Sequence, residues 1–381
     1  MARSIVISAD YKVSQYLEVL LKSIFLSENN RADLTIYLLN YDYPRDLIVH
    51  YLKQCQLHLK HCKLKVLTPS KGHKRLLQNL NLVSDTYSKS LYYKLFLAEL
   101  LPEEESVVSF DPYTLVLQDL GELLDYPIDP NVSIYACRDH LLSRELENLC
   151  VSSNSYYLNK FKAKLDQEMV FWRQNDVLNE QSLVIQAQET KATPAKATTY
   201  NGKYDLFSTE VMILNLKKIR EEKIFYKYLA YLSSNEVVTT PHVNIFLNLL
   251  HRYDWQALPD KFNYQVDYIN KEVFMLEQAG YKLRTYQELA SKLSYNLPSI
   301  VSFTGVYKPL NSNKKMPFRR LFIELYNESI SELLLNRNVF NSKEFINKFT
   351  YIHLLRLDDQ GWYQHDLSQI HPYVEQVQIT H

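Results

Sequence analysis

Short apolar runs alternate with helical periodicity through the first third of the chain. Ile5–Ser8 reads as a strand. Ser14–Leu26 then sets Leu17, Leu20, Leu21, Ile24 and Phe25 on one helical face. The pattern continues with a strand over Leu34–Leu39, a helix over Asp46–Leu59 and a strand over Leu64–Thr68. Leu91–Leu101 reads as a helix stopped by Pro102, and Val107–Phe110 and Ser133–Ala136 read as strands. Such βαβ alternation predicts a mostly parallel sheet covered by helices. Ligands of these sheets sit at the carboxyl ends of strands, and Asp10 and Asp111 both fall just past one.

Beyond the first third the pattern is looser. Gln186–Lys203 is polar and of low complexity, and reads as a loop: an active-site lid, or a tolerated insertion. A strand follows at Val211–Leu214, with helices near Phe225–Leu232, Val243–Leu250 and Glu272–Gln278. A final strand, Ile300–Phe303, ends at Thr304-Gly305. From Asn311 the chain is helical in pattern and rich in aromatics. The expected organisation is one domain over 1–310 and a small helical C-terminal subdomain over 311–381.

Composition narrows the function. With 46% hydrophobic and 23% charged residues the chain is globular, and zero net charge argues against a nucleic-acid partner. Only 6 glycines are present, and neither GxGxxG nor a Walker A sequence occurs, so a phosphate site must be built another way. The start, Met1–Ser8, has too short an apolar run for a signal peptide, and no run of apolar residues is long enough to span a membrane. Cys55, Cys62, Cys137 and Cys150 read as cytosolic thiols. Cys55, His58, His61 and Cys62 imitate a metal site, but Cys55, His58 and Cys62 at i, i+3 and i+7 suit one face of an amphipathic helix better than a zinc turn. The expected location is therefore cytoplasmic. The basic, aromatic stretch Lys314–Ile323 offers peripheral membrane contact as one reading; a solvated face over core aromatics is the commoner outcome for so short a run.

The segment Ser106–Leu120 carries the most information: a buried strand, then Asp111-Pro112-Tyr113, then further apolar residues. Other segments accompany it in order: Ile7-Ser8-Ala9-Asp10-Tyr11, Ser90–Phe96 with Glu99–Pro102, Phe207–Leu216, Leu258–Tyr264 and Val301–Pro309. Together they resemble glycosyltransferase family 8 over roughly residues 3 to 310. The resemblance implies a GT-A fold, a Rossmann-like sheet that binds a UDP-sugar. It also implies sugar transfer with retention of configuration, usually with manganese.

That family holds its cation with two Asp and a His. The matching positions here are Asp111, Tyr113 and Ser302, so no manganese cofactor is expected. The family's Asp-Gln-Asp, ahead of a Leu-Asn pair, falls on Val243-Asn244-Ile245 before Leu247-Asn248, which makes Asn244 and Asn248 the candidate catalytic residues. The family's Asn-Ser-Gly loop reads Ser208-Thr209-Glu210, its helix Arg is Lys94, and an Asn near the start is Lys12. The resemblance places nucleotide-sugar binding at Ala9, Asp10, Lys12, Lys94, Asp111, Gly305 and Lys308. Purely structural roles compete for three of these: a helix cap for Asp10, a turn at Pro112 for Asp111, and a tight turn for Gly305.

The function expected is that of a family 8-like protein of glycan, polysaccharide or glycoprotein biosynthesis with lost or weak metal-dependent catalysis. Its partner would be an active companion glycosyltransferase or a second copy of itself. The alternative is an active, metal-independent retaining transferase that uses a UDP-sugar, with Lys12, Lys94 and Lys308 neutralising the diphosphate.

Overall fold

A computed structural model describes residues 3–27, 34–40, 42–58, 63–78, 89–139, 206–224, 226, 243–251, 254–267, 298–304, 308–310, 316 and 318–335. Among them the chain begins with β1 (Arg3–Ala9), a 3-10 turn (Tyr11–Val13), α1 (Ser14–Ser27), β2 (Leu34–Asn40), α2 (Arg45–His58), β3 (Lys63–Leu67) and α3 (Lys71–Gln78). A 3-10 segment, Lys89–Phe96, runs into α4 (Leu97–Leu100). Next come β4 (Val107–Phe110), β5 (Thr114–Val116), α5 (Gly121–Leu124), β6 (Ile134–Arg138), β7 (Phe207–Leu214), α6 (Leu216–Glu221) and α7 (Val243–Leu250). The last are β8 (Trp255–Ala257), a 3-10 turn (Asp260–Phe262), β9 (Tyr264–Gln265), β10 (Ile300–Ser302) and α8 (Arg319–Leu335).

Seven strands form the main sheet in the order β3-β2-β1-β4-β7-β6-β8. The pairs among β3, β2, β1 and β4 are parallel, as is β6 with β8, whereas β7 runs antiparallel to both neighbours. Both faces are buried, which the alternation along β1 makes plain. Ile5 and Ile7 join a core with α1, α2 and α8, while Val6 joins a second core with the Tyr92–Ala98 segment and α7. On α1, Leu17, Leu20, Leu21, Ile24 and Phe25 are all buried. Each such side chain contributes at most about 1.5–3 kcal/mol. Glu18, also buried on that helix, pairs with His50 of α2 at 3.0 Å.

A second sheet, β5-β10-β9, sits beyond the end of β4. Ser302 lies opposite Thr114, and the Phe303 N–H donates to the Tyr113 carbonyl at 2.9 Å. This small sheet brings the C-terminal part of the chain against the turn that follows Asp111.

One expected helix takes another form. Leu91–Leu101 is a 3-10 segment followed by a single α-turn. Tyr92 through Ala98 are buried in succession, so packing on all sides, not one apolar stripe, sets the backbone there. Ser8 Oγ also donates to the Ser90 carbonyl at 2.5 Å, anchoring that segment to β1. The loop 186–203, the helix near 272–278, most of the helix near 225–232, His61, Cys62, Cys150 and residues 336–381 lie outside the described residues. Cys55 is buried in the first core on α2. The described part of the tail is helical. Leu321, Phe322, Leu325 and Tyr326 of α8 join the same core as α1, and Phe318 and Phe322 of the basic aromatic stretch are buried. Among the described residues no helix is long and apolar enough to cross a membrane.

Candidate nucleotide-sugar site

The site is built on the carboxyl end of β4. Asp111 donates its backbone N–H to the Glu210 carbonyl of β7 at 2.7 Å, and its own carbonyl accepts from Thr114 N at 3.2 Å and Thr114 Oγ1 at 2.7 Å. The turn Asp111–Thr114 is thereby closed through the backbone, leaving the carboxylate for other work. Lys94 Nζ lies 3.4 Å from Asp111 Oδ2 and donates to the Thr209 carbonyl at 2.8 Å. Burial pushes the Asp111 carboxyl up from its ordinary range; Lys94 opposes this most strongly, Glu210 adds to it, and Lys308 opposes it further. Asp111 Oδ1 is buried without a hydrogen-bond partner among the described residues.

Tyr113 is held between two groups. Tyr16 of α1 meets its ring edge-on, with centroids 4.6 Å apart, and Lys308 Nζ lies 3.5 Å from its ring centroid. The Lys308 ammonium also donates to the Phe303 carbonyl. Burial lowers Lys308 to about 8, opposed by Asp111, Glu210 and Asp267. The Tyr113 phenol is pushed up by burial, with the Asp111 and Asp10 charges adding, so it stays neutral at physiological pH.

A chain of side-chain hydrogen bonds that ends on a carboxylate runs alongside. Ser302 Oγ donates to Asn263 Oδ1, Asn263 Nδ2 donates to Ser208 Oγ at 2.6 Å, and Ser208 Oγ donates to the Glu210 carboxylate. Next to it Thr209 Oγ1 donates to Asn244 Oδ1. Asn248 serves the scaffold: its Oδ1 accepts from Phe207 N at 2.8 Å, and its Nδ2 donates to the carbonyls of Phe207 and Asn244, both at 2.8 Å. This amide ties α7 to the first residue of β7.

Of the residues proposed from sequence, Lys94, Asp111, Tyr113 and Lys308 converge on one place, with Ser302 on the adjoining hydrogen-bonded chain. Asp10 stands close enough for its charge to act on Tyr113. The helix-cap role for Asp10 is corrected. Its side chain makes no cap hydrogen bond, because the helix is entered through a 3-10 turn in which the Asp10 carbonyl, not its carboxylate, accepts from Val13 N at 3.1 Å. Its Oδ1 is likewise buried without a partner among the described residues. Ala9 is buried and pairs with Asn40. Lys12 is exposed on the turn after Asp10. Gly305 lies outside the described residues.

Two roles have no counterpart in the sequence reading. Glu210 entered the sequence argument only as a lost loop residue, yet it adds a carboxylate beside Asp111. Its signal was a lone acidic residue inside the apolar strand Phe207–Leu214. Tyr16 with Leu17 opens the helix of the motif that resembles the family's start, but its role as the brace of Tyr113 carries no signal in sequence, because nothing local marks that contact.

The donors at the matched metal positions are a carboxylate, a phenol and a hydroxyl. Manganese favours several oxygen ligands rich in carboxylate, or imidazole. Here the carboxylate faces one ammonium, the phenol ring carries another, and the hydroxyl is engaged with Asn263. These residues do not fit a manganese shell.

The fold, a mostly parallel sheet with helices on both faces and a small second sheet beyond β4, is that of GT-A glycosyltransferases. The crystal structure of the galactosyltransferase LgtC in complex with donor and acceptor sugar analogs is similar with a TM-score of 0.58 at 17% identity, over 85% of this chain and 95% of that one. The apo WbbM bifunctional glycosyltransferase is similar with a TM-score of 0.57 at 18% identity, over 92% of this chain and 51% of that one. At such identities the likeness speaks for the fold alone. General stress protein A of Bacillus subtilis (strain 168) is 25% identical over 244 residues, which is 62% of this chain and 64% of that protein, so the match spans just under two thirds of the relative's length. The model of glycosyl transferase family 8 matches residues 4–313, and the chain belongs to that family.

Proposed function

We propose that this chain is a glycosyltransferase-like component of glycan, polysaccharide or glycoprotein assembly, acting in the cytoplasm, whose manganese-dependent catalysis is lost or weak. In this reading it serves as partner or scaffold of an active glycosyltransferase. One observation carries it: all three positions that would hold the cation are engaged inside the protein, by Lys94, Lys308 and Asn263. A scaffold without its chemical centre keeps its surfaces for binding.

Calorimetric titration with a panel of UDP-sugars, with and without manganese, tests the chemistry. Binding heats that ignore manganese, together with no turnover by the isolated chain, are expected. Co-purification from native extract tests the partnership: a glycosyltransferase should come down with the chain and lose activity or solubility without it. A chain that elutes alone as a monomer and transfers sugar by itself refutes this reading.

A second reading is metal-independent transfer from a UDP-sugar, and the gathering of Lys94 and Lys308 at one site favours it. One observation weighs against it: Lys94 is already matched by Asp111 and the Thr209 carbonyl, so of the two gathered lysines only Lys308 would be left to meet a leaving diphosphate.

A further inference from the structure

The charges around Lys308 do not suit a site kept for an anion. Asp111, Glu210 and Asp267 all act on its ammonium. Among the described residues only Lys94 adds a second cation, and it is paired with Asp111. Three carboxylates against two ammoniums favour a resident cation over an incoming diphosphate. Two of the three carboxylates also accept from neighbouring hydroxyls, Glu210 from Ser208 and Asp267 from Thr304, which fixes them in place.

The ammonium has a built seat. The face of Tyr113 lies under it at 3.5 Å, and the Phe303 carbonyl accepts from it. A phenol is a poor ligand for a dication, but its ring face attracts an ammonium. The ring cannot swing away, because Tyr16 packs on its edge and Phe322 of α8 packs on Tyr16 at 5.7 Å. Phe322 in turn meets Phe303, the residue whose carbonyl Lys308 binds, at 5.4 Å. Elements from early and late in the chain therefore hold one ammonium within electrostatic reach of Asp111.

We infer that Lys308 is the resident cation of this site: seated on Tyr113, its ammonium takes the electrostatic place of a divalent ion among Asp111, Glu210 and Asp267, and so keeps divalent ions out. The inference rests on the manganese-free reading above and supplies its cause. Tyr113 is then a positioning residue for Lys308.

Manganese binding followed by electron paramagnetic resonance of the free ion tests this without any assay of activity. The full chain and Lys308→Arg, which keeps the charge, should leave manganese free. Lys308→Met should bind it at least about tenfold more tightly, the Coulomb relief of removing a unit charge several ångströms from a dication even at the dielectric constant of water. Adding Asp111→Asn should abolish that gain. A second pair repeats the comparison with a carboxylate placed at position 113, and far-ultraviolet circular dichroism of each variant checks that it is folded. Tyr113→Asp alone should gain little, because Lys308 can pair with the new carboxylate, whereas Tyr113→Asp with Lys308→Met should gain at least about tenfold over it. The inference is overturned if Lys308→Met is as blind to manganese as the natural chain, or if Tyr113→Asp alone binds as well as the double variant. Tight manganese binding by the natural chain would overturn both this inference and the manganese-free reading. Blindness in every variant would overturn this inference alone.

Discussion

Replacing Lys94 by methionine removes a charge from the interior while keeping the length of the stem. The Lys94 side chain is 1% exposed and that of Asp111 12%, so the pair is shielded from water. Removing one partner of a buried ion pair costs about 3–5 kcal/mol. Part of that cost does not depend on pH: the Thr209 carbonyl loses its donor, worth about 1–3 kcal/mol. The rest does. Asp111 already binds its proton more tightly in the folded chain than in the unfolded one, because burial outweighs its neighbours. With such a shift, stability falls as pH rises from the ordinary carboxylate value through the folded one. Losing Lys94, the strongest opposing influence, raises the folded value further and widens that window. Lys94→Met should therefore cost less near about pH 5, where Asp111 can take up a proton, than near about pH 8. Asp111→Asn on the same background should recover the pH-dependent part and leave the Thr209 part. Urea unfolding across that range, followed by far-ultraviolet circular dichroism and completed as a double-mutant cycle, measures both. A loss below about 1 kcal/mol, or one equal at both ends of the range, would refute the reasoning.

Asn248→Ala strips a buried amide from the Phe207 N–H and two carbonyls, and should lower stability by about 3 kcal/mol in the same unfolding assay; a loss under about 1 kcal/mol would remove Asn248 from the scaffold. If the proposed reading holds, Tyr113→Asp combined with Ser302→His should not create robust sugar transfer, because that reading puts Val243, Ile245 and Glu210 where the family's sugar-contacting residues would be. Release of UDP at a rate well above the natural chain's would show that only the metal shell was missing. The phenols of Tyr43, Tyr51, Tyr113 and Tyr326 are raised by burial. Their contribution is complete below about pH 10, the unfolded value, and is lost as pH rises beyond it. The urea midpoint should therefore fall steeply in that alkaline range, with phenolate absorbance appearing on unfolding, and a flat midpoint would contradict the burial argument.

What sequence could reveal follows from what each element depends on. β1, α1, β2 and β4 are specified by their own apolar pattern, and the structure places them within a residue or two of the expected bounds. β5, β8 and β9 are two or three residues long and exist through their partners, so no local pattern announces them. α3 begins Lys-Gly-His-Lys-Arg, with few apolar residues to mark it. The same division holds at the site. Asp111 and Lys308 were legible because each lies beside a strand within a motif. That Lys308 rests on the ring of Tyr113 depends on β10 pairing with β5, a contact between segments far apart in the chain.

The departures from the family pattern form an interlocked set, not a scatter of losses. A phenol at position 113 offers no ligand for a dication, but it offers a face to Lys308. The hydroxyl at position 302 closes a hydrogen-bonded chain through Asn263 and Ser208 to Glu210. Glu210 stands beside Asp111 and within electrostatic reach of Lys308, so the carboxylate it adds is countered by the ammonium the phenol holds. Each substitution alone would leave a buried charge or polar group without a partner, at a cost of about 1–3 kcal/mol or more. Together they leave Ser302, Asn263, Ser208 and Glu210 satisfying one another, while Asp111 Oδ1 stays buried without a partner among the described residues. Restoring a single ancestral-type ligand therefore breaks an existing contact for every new one it creates, which is why repair of the metal shell alone should yield a less stable protein before it yields a better catalyst.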